Sequence, residues 1–215
     1  MVLTASYLLL AYFAASFWEA TFHRTVLHAR QRARRSWRKW GAAGSLLRLA
    51  CFYHHTIHHR STFLRDQLVQ FDSALQQGKL DSRLRGAIGS RVRLDRYGLT
   101  VTGPSEFAAF VGPPLLVNSL VALALAPGLL WMGAVISTLP LLLSRYLHPL
   151  LHEPIPSARR RAVLPALRRG RMFRFVQSYH LLHHAHGTRN FNLLLGADWL
   201  LGQSSWPGHV GIKQD

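Results

Sequence analysis

Four clusters of closely spaced histidines constrain this chain more than any other feature. They are His23 and His28; His55, His58 and His59; His148 and His152; and His180, His183 and His184. The pattern H-x-x-H-H occurs twice, whereas 13 histidines in 215 residues would produce it about 0.05 times by chance. Neutral imidazole suits iron and zinc, so ten such side chains brought together could enclose two metal ions without any carboxylate.

Helical geometry explains most of this spacing. Positions i, i+3 and i+4 share an arc of about 100° on an α-helix, so each H-x-x-H-H triplet can face one centre. His54 and His58 are also four apart, and we prefer His55 as the ligand because it completes the triplet. His23 and His28 would lie about 140° apart on a regular helix. A wide turn, or the end of a helix, is therefore expected between them.

Apolar runs predict a membrane protein. Residues 107–144 contain no Asp, Glu, Lys or Arg, and Pro127 and Gly128 interrupt the run near its middle. This pattern predicts a helical hairpin with spans at about 107–126 and 129–147, each long enough to cross roughly 30 Å of hydrocarbon. Another apolar stretch predicts a first span at about 2–22. Because its positive charge follows the apolar run, we expect a retained anchor and not a cleaved signal peptide.

The basic residues predict an orientation. Eight Lys or Arg and no acid lie between Arg24 and Arg48, and arginines flank both outer ends of the hairpin. The positive-inside rule then places these ends in the cytoplasm and the N-terminus outside. We expect one all-α domain over residues 1–215, with about three transmembrane helices and a cytoplasmic histidine-rich helical cap at 23–104 and 148–215. The high arginine content favours a bacterial inner membrane.

The remaining segments give coarser predictions. The net charge of +17 is assigned to anionic lipid and not to nucleic acid, because no nucleic-acid motif occurs and the basic residues adjoin the apolar spans. An amphipathic helix is expected over 36–60, and a second helix over 62–80 that ends at Gly78. Residues 99–102 could be strand or loop, and residues 154–170 resemble a surface loop.

The order of the boxes resembles the membrane-bound fatty acid hydroxylase and sterol desaturase superfamily. H-x(4)-H, H-x-x-H-H, a two-helix hairpin, H-x-x-x-H and H-x-x-H-H follow one another, and the sequences after His184 and around Asp198 are similar to the family's H-H-x(5)-N-Y-G and D-x-x-F-G-T endings. The resemblance implies that the ten named histidines are the ligands of two iron ions. Zinc would fit imidazole equally well and could occupy the positions in a purified sample.

The resemblance also implies an activity. Such proteins use O2 and electrons from an external donor, either a ferredoxin or a b-type cytochrome with its reductase, to hydroxylate or desaturate lipid chains in the membrane. We expect an O2-dependent di-iron lipid monooxygenase, with hydroxylation preferred. The alternative is a non-enzymatic histidine-rich metal transporter or sensor, which would usually need ionisable residues within its spans. Groups that could orient the imidazoles are Glu19, which shares a helical face with His23, together with Asn190 and Asp198.

Overall fold

The computed structural model describes residues 2–63, 65–88, 103–153 and 167–206, and within these ranges it contains helices and no strand. Three helical stretches are long and apolar enough to cross a membrane: Val2–Leu27, Phe107–Leu125 and Pro127–Leu151. The predicted all-α class and the three candidate spans are therefore confirmed. The segment 99–102 and most of the predicted loop at 154–170 lie outside the described residues.

The three long helices form a bundle. Helix α1 (Val2–Phe22) packs against both arms of a hairpin made of α5 (Pro104–Leu125) and α6 (Leu130–Leu142). A short 3-10 turn, Pro127–Leu129, joins the arms where the sequence predicted the break. Proline has a fixed φ and no backbone N–H, which suits the first position of this turn. The outward faces stay apolar, with Leu116, Val117 and Leu120 being 49% to 62% exposed.

Small and polar side chains hold the bundle together at its centre. The Tyr7 hydroxyl donates to the Asn118 carbonyl over 3.2 Å, and the Asn118 amide donates to the Ser137 hydroxyl over 2.8 Å. All three residues are buried. Gly133 lies against this group, and a Cβ at that position would meet the Tyr7 hydroxyl at 2.0 Å. Because glycine has no side chain, α6 can approach α1 closely at Gly133, as is common between membrane helices.

The segments between the spans are also helical. Helices α2 (Gln31–Ser36) and α3 (Gly41–Cys51) follow the first span, and α4 covers Ala74–Ile88. A short α7 (His148–Leu151) extends the last span, followed by α8 (Arg171–His186) and the short α9 (Ala197–Leu200). Three π-helical segments interrupt this order, at His23–Leu27, Phe52–His58 and Leu143–Leu147.

The prediction of a helix over 62–80 that ends at Gly78 was wrong. Residues 65–73 form turns and bends, and α4 begins at Ala74 and runs through Gly78. Asp66 accepts the backbone N–H groups of Leu68 and Val69 at 3.0 and 2.8 Å, which turns the chain away from a helix. Ser73 then accepts the N–H of Gln76 at 3.2 Å and caps α4. Ser-x-x-Gln is a capping signal that marks this start in the sequence.

The close approach at Gly133 predicts a destabilising substitution. Gly133→Ala should lower the free energy of unfolding by roughly 1–3 kcal/mol, because the new methyl group collides with the buried Tyr7 ring. Adding Tyr7→Phe removes the colliding oxygen and should recover part of the loss. Thermal unfolding in detergent measures both effects. Gly112→Ala in α5 is the matched control, since nothing lies within 4 Å of its Cβ position. Equal midpoints for Gly133→Ala and Gly112→Ala would contradict this packing.

Candidate metal centre

Two π-helical turns place the first and second histidine clusters. The His28 backbone N–H donates to the His23 carbonyl over 2.9 Å, and the His59 N–H donates to the His54 carbonyl over 3.0 Å. Both bonds join residues five apart, which makes the turn wider than that of an α-helix. Residues five apart therefore come close to one face. The predicted wide turn between His23 and His28 is confirmed.

The histidines converge into two groups of five. Within each group the candidate ligand nitrogens all lie within 4.8 Å of one another. The first group is His23, His28, His54, His59 and His183. The second group is His58, His148, His152, His180 and His184. The two H-x-x-H-H clusters contribute to both groups, whereas His23 and His28 belong to the first group alone and His148 and His152 to the second. Nine of the ten histidines expected as ligands are brought together in this way.

His54, and not His55, completes the first group, which corrects the expectation from α-helical spacing. That expectation favoured His55 because it completes an i, i+3, i+4 triplet. The segment Phe52–His58 is π-helical instead, so His54 and His59 share a face. His54 is buried, and its Nε2 lies 3.1 Å from Nε2 of His59. The His55 ring centre is 5.4 Å from that of His28, but its nitrogens belong to neither group.

The ring nitrogens of the first group face one another. His54 Nε2 lies 2.7 Å from His23 Nε2, 3.2 Å from His28 Nε2 and 3.1 Å from His59 Nε2. A neutral imidazole has one N–H and one lone pair, so a single nitrogen cannot form proper hydrogen bonds with three other such nitrogens. A cation at the centre of the group would remove this repulsion between lone pairs.

The spacing of these nitrogens indicates a coordination number. In the second group, His180 Nε2 lies 3.0 Å from His148 Nε2 and 2.9 Å from His152 Nε2. For metal–nitrogen bonds of about 2.1 Å, ligands at right angles are separated by about 3.0 Å and tetrahedral ligands by about 3.4 Å. These two distances fit ligands at right angles. Five histidines per group also exceed the four ligands of a tetrahedral zinc site.

Buried atoms without partners support the same conclusion. Both ring nitrogens of His58 and both of His184 are buried and have no hydrogen-bond partner among the described residues. An unsatisfied buried polar group costs roughly 1–3 kcal/mol. One metal ion would satisfy a nitrogen of each ring, so the residues present fit a bound ion.

Burial keeps the imidazoles in the form that binds metals. The pKa of His28 falls to about 2, mainly because the ring is desolvated by burial and to a smaller extent because His183 is close to it. Desolvation also lowers the pKa of His183 to about 4. The pKa values of His58, His180 and His184 fall well below the usual value for the same first reason, with nearby histidines adding to the effect. At neutral pH these rings are uncharged, and each has a lone pair available.

Backbone carbonyls orient three of the rings. The Nδ1–H of His183 donates to the Arg189 carbonyl over 2.8 Å, and that of His152 donates to the Gln67 carbonyl, also over 2.8 Å. The Nδ1–H of His23 donates to the Phe191 carbonyl. Because each Nδ1 has an acceptor beside it, the proton resides there and the Nε2 lone pair faces the group. The sequence offers no signal for these acceptors, since every residue carries a carbonyl.

Glu19 does not orient His23 directly, contrary to expectation. Its carboxylate accepts the backbone N–H groups of Leu193 and Leu194 at 3.0 and 2.9 Å, and the two nitrogens of His23 contact Phe191 and His54. Glu19 therefore fixes the segment that follows the last histidine cluster. Asn190 lies in that segment and, within the described part of the chain, bonds no histidine either. Its amide donates to the carbonyls of Tyr179 and Ser205, both at 3.0 Å.

Asp198 acts on His23 through one peptide group. Its Oδ2 accepts the Asn192 N–H at 2.9 Å, and the carbonyl of that same peptide, belonging to Phe191, accepts the His23 ring. Tyr179 also donates to Asp198 over 3.2 Å. Burial raises the pKa of Asp198 to about 6, so the carboxylate is still mostly ionised at pH 7. The carboxylate expected to orient an imidazole therefore acts on His23 through a peptide group and not by direct contact.

The assignment of His54, and not His55, to the first group can be tested directly. His54→Ala should reduce the bound metal by about one ion per chain, because the first group loses a central ligand. His55→Ala is the matched control and should leave the metal content unchanged. Elemental analysis of the purified full chain after dialysis measures both. Loss of metal in His55→Ala with retention in His54→Ala would reverse the assignment.

Comparison of this chain with protein-family models, with curated proteins and with solved structures found no match. The site consists of two groups of five histidines at one end of a bundle of three apolar helices.

Proposed function

We propose that this chain is an O2-dependent di-iron enzyme that hydroxylates a lipid chain at the cytoplasmic face of a membrane. One observation carries the proposal: ten histidines form two adjoining groups at the end of a helical bundle with apolar outer faces. The groups are neighbours, because the rings of His59 and His184, one from each group, stack with centres 4.0 Å apart. Two ions held in these groups would share one reaction volume.

The position of the groups supports a membrane reaction. His23 follows α1 directly, and His148 lies in the extension of α6, so the groups occupy the ends of the first and third candidate spans. The basic residues between Arg24 and Arg48 lie beyond the same end of α1. We therefore place this end in the cytoplasm and the N-terminus outside. The exposed side chains of Trp40 and Leu46 beside these arginines fit a segment that contacts lipid headgroups.

The fold also offers an apolar cavity. It measures about 440 Å³ and lies between α1, α8 and α9, with a lining that is mainly aromatic. The Tyr12 hydroxyl donates to the Leu195 carbonyl over 2.6 Å, and the Tyr179 hydroxyl donates to the Asp198 carboxylate. Their hydrogen-bonding capacity is thus used within the protein, and the cavity suits an acyl or sterol-like chain. Tyr179 also adjoins His180 along α8.

The chemistry divides between the metal and the chain. The iron ions, when bound, supply the O2 binding and oxidising strength that breaking an unactivated C–H bond needs and that no side chain provides. One oxygen atom enters the substrate and the other leaves as water, with two electrons and two protons from an external donor. The two histidine groups would hold the ions, and burial keeps the imidazoles neutral and excludes bulk water from the site.

Two observations favour the enzyme hypothesis over metal transport or sensing. The hairpin has no ionisable residue from Phe107 to Leu142, and its buried polar groups, Asn118 and Ser137, bond to each other. A transported ion would find few free ligands along this part of the bundle. Five candidate ligands in each group also exceed the four of a tetrahedral zinc site, which suits a metal of higher coordination number such as iron.

Lipid analysis of expressing cells tests the proposal. Cells with the native chain should contain a lipid that is one oxygen atom heavier than its precursor, and growth under labelled O2 should place the label in it; a desaturase would instead give a product two hydrogen atoms lighter. His183→Ala should abolish the product, because His183 belongs to the first group and its ring is fixed by Arg189.

The control is His186→Ala, three residues further along α8, where the histidine is exposed and belongs to neither group. It should retain the product. Identical lipids in all three strains, with metal bound and a reductant present, would refute the oxygenase. Tightly held metal without any lipid change would point to metal storage or sensing instead.

A further inference from the structure

Two residues other than glycine adopt a left-handed backbone in the part of the chain that the structure describes. They are Gln67, with φ of 65°, and Asn190, with φ of 56°. Left-handed backbone is disfavoured for residues with a Cβ, and it persists where the surrounding structure requires it. Neither residue is a metal ligand in the groups described above, so their conformation needs another explanation.

Both residues lie at carbonyls that accept a ring N–H from the histidine groups. The Gln67 carbonyl accepts Nδ1–H of His152, a member of the second group. Asn190 stands between Arg189 and Phe191, whose carbonyls accept Nδ1–H of His183 and His23 in the first group. Each histidine group thus has one left-handed residue at its outer edge. This correspondence is the observation on which the inference depends.

The chain around Gln67 is built to hold its turn. Asp66 accepts the N–H groups of Leu68 and Val69, which closes the turn on the far side of Gln67. Phe63 stacks on the His152 ring, with centres 3.9 Å apart, and covers one face of it. The segment therefore fixes His152 by a carbonyl at its edge and an aromatic ring on its face.

The chain around Asn190 is held more firmly. Its side chain is almost fully buried and donates to the carbonyls of Tyr179 and Ser205. Its Oδ1 accepts the Ser205 N–H at 2.6 Å, and its own N–H donates to the Gln203 carbonyl over 2.9 Å. These four bonds tie the turn to α8 on one side and to residues 203–205 on the other.

We propose that Gln67 and Asn190 are paired positioning residues, one for each metal ion. Their left-handed backbone aims the carbonyls that keep the proton on Nδ1 and so direct Nε2 inward, Gln67 for His152 and Asn190 for His183 and His23. At Gln67 only the backbone conformation positions the histidine. At Asn190 the side chain also forms hydrogen bonds that hold the turn in place. The inference rests on the proposed metal binding and is independent of the oxygenase activity.

Conformation can be separated from side-chain chemistry by paired substitutions. Glycine adopts the left-handed region freely, whereas valine is strongly disfavoured there. Gln67→Gly should therefore retain two ions per chain, and Gln67→Val should retain about one. Asn190→Val should likewise lose about one ion. Asn190→Gly should hold both ions with faster release to a chelator, because it keeps the turn and loses the side-chain bonds.

Double variants identify which ion is lost. Gln67→Val combined with His180→Ala affects one group twice and should still hold about one ion. Gln67→Val combined with His54→Ala affects both groups and should hold none. Asn190→Val affects the first group, so the expectations are reversed. Combined with His54→Ala it should leave about one ion, and combined with His180→Ala it should leave none. The measurement is elemental analysis of the purified full chain loaded with iron, after exposure to a chelator.

The outcomes keep this inference distinct from the proposed activity. Circular dichroism and size-exclusion chromatography check that each variant folds. Where a valine variant does not fold, the alanine variant at the same position, Gln67→Ala or Asn190→Ala, replaces it and should release one ion faster than the glycine variant, because alanine carries the Cβ that disfavours left-handed backbone. Loss of an ion in Gln67→Gly as large as in Gln67→Val, or two firmly held ions in both valine variants, would overturn the proposal. So would a native chain that binds no metal. Two ions in the native chain without any oxygenated lipid would refute the oxygenase alone.

Discussion

The structure depends on the desolvation of neutral imidazoles that crowd together. Burial lowers their pKa values, so the rings cannot relieve their contacts by taking up protons and separating as solvated cations. Lone pairs on nitrogens about 3 Å apart then repel unless a cation lies between them. The candidate spans, the π-turns and the segment after α8 all serve to hold this otherwise unfavourable arrangement. A bound metal would therefore contribute to folding as well as to chemistry.

The π-turns show how the chain serves two centres with few residues. In the π-helical segment Phe52–His58, His54 and His59 turn toward the first group while His58 turns toward the second. The helix α8 achieves the same division with regular geometry, since His183 joins the first group and His180 and His184 join the second. Adjacent ligands thus bridge the groups and keep them close together.

Much of this arrangement follows from the sequence, and the part that does not has a physical reason. The repeated spacing predicted that the four clusters converge, although each H-x-x-H-H cluster divides between the two groups and does not face one centre. Charge-free runs predicted the hairpin at Pro127. The choice of His55 failed because it assumed α-helical turns, although the five-residue gap between His23 and His28 already required a wider one. The helix predicted over 62–80 failed because Ser73 and Gln76 cap a later start. The orienting carbonyls had no signal, because their identity depends on backbone direction and not on residue type.

Asp198 shows why carboxylates are scarce at a site that would hold two cations. The peptide between Phe191 and Asn192 accepts from His23 through its carbonyl and donates to Asp198 through its N–H. Hydrogen bonds in such a chain polarise one another, so the carboxylate charge makes the carbonyl a stronger acceptor and the His23 ring more basic. A carboxylate that ligated the metal directly would neutralise its charge and compete with a histidine for the position. Acting across a peptide, Asp198 strengthens His23 and leaves an all-histidine group intact.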